Sequence, residues 1–91
     1  MKEPSNRERA DWANTALEAF AEQVGEEDML DEEKELVISD LLSDLMHLCD
    51  VEEIDFGVCT ERAEMHYREE RSEERRRAKA CLDQGTTDED Q

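Results

Sequence analysis

Asp40, Asp44 and His47 are spaced i, i+4 and i+7 within the run Leu36 to Asp50, LVISDLLSDLMHLCD. On a helix turning about 100° per residue they share one narrow strip. Two carboxylates and an imidazole suit a divalent ion such as magnesium or manganese. Asp44-x-x-His47 also has the carboxylate-x-x-His spacing of metal sites in helix bundles. His66 joins the set if its helix pairs suitably with this one, and Glu70 lies one turn further on. The plain alternative is a solvated polar face, on which a histidine near a helix C-terminus is favoured electrostatically.

A cysteine–histidine site is harder to build. His47 and Cys49 stand at i and i+2, about 200° apart on a helix, so they cannot share a zinc ion without breaking it. A nucleophilic cysteine needs exposure and an activating partner. Cys49 and Cys59 are expected instead to be buried as small apolar residues. The chain has three cysteines, with Cys81 the third, and no paired disulfide framework. The start, MKEPSNRERADW, carries no apolar leader core, and no apolar run reaches membrane length. A reduced cytoplasm is the expected setting.

The strip belongs to the most apolar stretch of the chain, which divides cleanly on a helix. Val37, Ile38, Leu41, Leu42, Leu45, Met46, Leu48 and Cys49 fill one half, and the serines, aspartates and His47 fill the other. This apolar half is expected to be a buried seam, shielded by one amphipathic segment on each side. Before it, Ser5-Asn6-Arg7-Glu8 fits a capping box that opens a one-sided helix through Leu17, Phe20 and Val24, stopped by Gly25. The acidic run EEDMLDEEKE follows; Met29 and Leu30 are expected to tuck under the domain edge, and Asp28 or Asp31 to cap the next helix. After a short connection at Val51–Ile54, Asp55 caps a third helix starting at Phe56. Its face is Phe56, Cys59, Ala63, His66, Tyr67 and Glu70. Gly57 weakens the first turn by up to about 1 kcal/mol. From Arg68 the apolar face fades into an exposed helical extension, where Ala78, Cys81 and Leu82 could dock on a neighbour.

The chain has 91 residues, 36% of them hydrophobic and 4% aromatic, so its core is thin and a lone copy is marginal. The formal net charge is −17. Residues 1–67 hold 20 acids and 5 bases, whereas residues 68–79 hold 4 acids and 6 bases. Such a field repels nucleic acid and anionic membranes and attracts basic surfaces. Many acids, few lysines and a small apolar load are also the balance of proteins that work in molar salt, where a Debye length of about 3 Å tolerates self-repulsion.

Two resemblances follow from these residues. Asp40-Leu41-Leu42-Ser43-Asp44-Leu45-Met46-His47-Leu48-Cys49-Asp50, then Asp55-Phe56 and Arg62-Ala63-Glu64-Met65-His66-Tyr67, resemble small uncharacterised helical proteins of haloarchaea and bacterial mobile elements. The opening ADWANTALEAF is similar as well, and the likeness covers most of residues 7–70. It implies an acidic helical fold and no particular activity. More distantly, the acid-DLL-apolar helix resembles the all-α MazG-like nucleotide pyrophosphohydrolases, which hold magnesium with EExxE on one helix and ExxD on the next. Here only Glu18 and Glu22 stand on the first helix, and Asp40 and Asp44 have the wrong spacing for ExxD.

The expected fold is therefore all-α: a three-helix small bundle, made of a helical hairpin plus a longer C-terminal helix. Residues 1–5 form a flexible start, 6–82 one domain and 83–91 a disordered acidic tail. A homodimer is expected from the thin core. The expected function is a non-enzymatic acidic protein-interaction module, meeting a basic protein surface or itself, as a DNA-mimicking modulator from a mobile element or a halophile. The alternative is a small metal-dependent nucleotide hydrolase holding magnesium or manganese on Asp40, Asp44, His47 and His66.

Overall fold

The computed structural model describes residues 3–90, with side chains as far as Lys79. The fold is all-α. Three helices run α1 (Asn6–Val24), α2 (Lys34–Glu52) and α3 (Phe56–Asp90), with a single 3-10 turn at Glu27–Met29. No strand occurs among the described residues. The expectations for the 83–91 tail and for Cys81 and Leu82 fall beyond the described side chains.

Local chemistry sets most helix ends. The Ser5 hydroxyl accepts from the Glu8 amide at 3.1 Å and the Ser5 amide donates to Glu8 Oε1 at 2.9 Å, closing the capping box. Gly25 ends α1 at φ 77, where a side chain would be strained. α2 has neither expected cap. Glu33 occupies the N-cap position without a side-chain bond, and its own amide donates to the Met29 carbonyl at 2.8 Å. α2 also runs past Asp50 to Glu52. Its C-cap Glu53 adopts φ 58, a conformation that costs a non-glycine residue energy. Asp55 caps α3, its Oδ1 accepting from the Val58 amide at 3.3 Å. A Cβ on Gly57 would lie 3.1 Å from that oxygen, so the glycine leaves room for the cap.

The helices meet in pairs near their ends. Leu17 and Ala21 of α1 pack on Val37 at the start of α2, with Phe20, Met29, Leu30 and Leu41 around them. Met29 and Leu30 thus tuck in as expected. α2 and α3 meet at the Glu53–Asp55 turn, where Cys49 lies beside Cys59. α1 meets α3 at its other end, where Asn6 and Arg9 bond to Glu70 and Glu74. Each helix spans about 16–18 Å between its two contact points at 1.5 Å per residue. α2 and α3 therefore diverge from their turn, and α1 bridges the opening.

This arrangement corrects the expected buried seam. On α2 only Val37 and Cys49 are buried and Leu41 is half-buried; Ile38, Leu42, Leu45, Met46 and Leu48 are exposed. The flanking helices cover the two ends of α2 and leave its middle open. On α3, Phe56 and Glu70 are half-buried, whereas Cys59, Ala63, His66 and Tyr67 of the expected packed face are exposed. The reason is that α1 crosses from one helix to the other instead of lying along either.

Candidate interaction surface

Asp40, Asp44 and His47 lie exposed along α2, and His66 lies exposed on α3. Among the described residues no three His, Cys, Asp or Glu side chains converge in an arrangement that could hold a metal ion. What Asp40 and Asp44 do meet is Glu26, which follows the glycine stop of α1. The Glu26 carboxyl hydrogen-bonds that of Asp40. This bond, then desolvation, then the charges of Asp40 and Asp44 raise its pKa above the ordinary glutamate value. Oε1 of Glu26 is enclosed and has no donor when the group is ionised. The sequence shows Glu26 only as one acid in an acidic run; its place right after Gly25 is the signal that α1 delivers it to α2.

The cysteines are not equivalent. Burial raises the Cys49 pKa, helped by the neighbouring Cys59 thiol and then by the charges of Asp50 and Asp55. Cys49 is therefore a thiol at neutral pH and a poor nucleophile. Cys59 is exposed, contrary to its expected burial. It lies beside Cys49 at the α2–α3 junction, where α1 does not reach to cover it.

The α1–α3 closure is polar. Arg9 Nε lies 3.3 Å from Glu70, the Asn6 amide donates to Glu74 Oε2 at 2.8 Å, and Asn6 Nδ2 donates to the Glu70 carbonyl at 3.2 Å. These groups also line an open cleft of about 440 Å³ with Tyr67 and Arg71. A second groove of about 320 Å³ runs between α1 and α2, walled by Ala10, Ala13, Leu17, Ile38 and Leu41, with Lys34 donating to Asn14 at 3.0 Å at its edge. Its lining is mostly apolar.

Two surfaces thus dominate the molecule. One is acidic: no charged residue among those described is buried, and the acids of residues 3–67 other than the half-buried Glu26 face solvent. The other is the uncovered apolar face of α2 and α3. Burying Leu17 and Val37 contributes about 1.5–3 kcal/mol each. Ordering the backbone costs about 1–2 kcal/mol for every residue. With a core of Leu17, Ala21, Val37 and Cys49, the chain alone is short of apolar burial. No helix among the described residues is long and apolar enough to cross a membrane. Comparison with family models, curated proteins and solved structures returns no match.

Proposed function

We propose that this chain is an acidic protein-interaction module that acts by association rather than by catalysis. The observation that carries the reading is the charge of residues 1–67, 20 acids against 5 bases, displayed on the outside of a fold with almost no core. A surface of that sign and density offers a basic protein what a DNA backbone offers it, rows of anionic oxygens. The module would therefore occupy the DNA-binding face of a basic protein, as a modulator carried by a mobile element or a halophile.

The test is competition. A labelled duplex bound to a basic nucleoid-type protein is titrated with this chain, and fluorescence anisotropy follows release. Release at about 0.1 M salt that weakens in molar salt supports the reading, because screening shortens the reach of the field. No release at any salt overturns it. Unfolding on removal of salt, followed by circular dichroism, assigns the acids to solvation in brine instead.

The second reading, a magnesium or manganese site for nucleotide hydrolysis on Asp40, Asp44, His47 and His66, has against it that no three such side chains converge among the described residues. Calorimetry with each metal separates the two. Heat of binding that disappears in Asp40→Asn favours the hydrolase, and no heat with either ion removes it.

A further inference from the structure

The middle of α2 carries exposed apolar side chains, and α3 carries others. Leu42, Leu45, Met46 and Leu48 on α2, and Val58 and Met65 on α3, are between 37% and 67% exposed. Val51 and Ile54, near the turn, are exposed as well. Exposed apolar side chains in this number are ones that burial against a partner would cover.

We propose that a second copy of this chain covers the exposed apolar side chains of α2, so that the two α2 helices bury each other about a two-fold axis. This rests on the reading that the chain works by association, and it names one partner. Charge selects a copy of itself. Residues 68–79 carry 6 bases against 4 acids, and Arg75 and Arg76 make no ion pair among the described residues. In a two-fold arrangement this basic segment of each protomer reaches the acidic α2 of the other, which offsets part of the repulsion between two anionic bodies. The same α2 face serves both sides, as an isologous contact requires. The helix that the chain fails to shield by itself is then shielded by its twin.

The experiment is sedimentation equilibrium of the full chain from micromolar to hundreds of micromolar, at about 0.1 M and at molar salt. The expected mass is twice 10.6 kDa, with tighter association in molar salt because the repulsion is screened while the apolar contact is kept. Met46→Gln and Leu42→Gln are expected to weaken the dimer by at least about tenfold. Trp12→Gln, on α1, is expected to leave it unchanged. A monomer at every concentration and both salts overturns the proposal, as does a species larger than two, or equal loss in Trp12→Gln. If the α2 variants fail to fold, the wild-type melt decides. A melting temperature that rises with protein concentration supports the dimer, and one that is flat overturns it. A monomer that still releases DNA from the basic protein sinks the dimer alone. A dimer that releases none sinks only the functional reading.

Discussion

Arg9 Nε stands 3.3 Å from a carboxylate oxygen of Glu70, and this pair ties the second turn of α1 to the middle of α3. Both side chains are about one-third exposed, so the contact is better shielded than the Arg7–Asp11 and Arg68–Glu64 pairs. With the two Asn6 hydrogen bonds it holds the start of α1 against the third helix.

Breaking that tie destabilises the fold. Arg9→Ala and Glu70→Gln are each expected to lower stability in urea melts, with a double-mutant coupling of about 1 kcal/mol that shrinks in molar salt. Asn6→Ala removes the neighbouring bond to the Glu70 carbonyl and acts in the same direction. Simple additivity of Arg9→Ala and Glu70→Gln would mean that the pair is not held in solution.

Glu26 makes stability depend on pH with an unusual sign for a carboxylate. Its folded pKa is raised, chiefly by the bond to Asp40. A raised carboxylate is easier to protonate folded than unfolded, so its penalty is absent below the unfolded pKa. The penalty sets in as pH rises through the interval between the unfolded and folded values. Glu26→Gln is expected to raise the melting temperature at neutral pH and to have little effect in acid. An equal effect at both pH values would show that the acid–acid contact is not made.

Two backbone positions give opposite signs. Gly25→Ala places a side chain at φ 77 with nothing within 4 Å of its Cβ, so its cost is purely conformational, about 1 kcal/mol. Glu53 already bears such a cost at φ 58, and Glu53→Gly is expected to recover up to about 1 kcal/mol. Thermal melts read both. The same sign for the two variants would contradict the caps as described.

What could be read from the sequence is what depends on neighbours along the chain. Ser5 with Glu8, Gly25 and Asp55 announce their helix ends, because a cap needs only residues within one turn. The division of α2 into two halves was equally plain. Which molecule covers the apolar half was not: periodicity says that Leu42 and Leu45 avoid water, but not that α1 stops short of them. The polar strip shows the same limit. Asp40 and Asp44 share a face by spacing, whereas their neighbour Glu26 is set by the path of the chain after Gly25. Cys59 was misjudged for the same reason, since its exposure is decided by where α1 crosses.

Three rods pinned at three joints make the smallest rigid truss, and it has no redundant member. One joint here is greasy, one is a tight turn and one is ionic. Loss of the ionic joint alone frees α1 to swing about the greasy one, so brine that loosens Arg9 from Glu70 would change the outline of the chain while every helix stays wound.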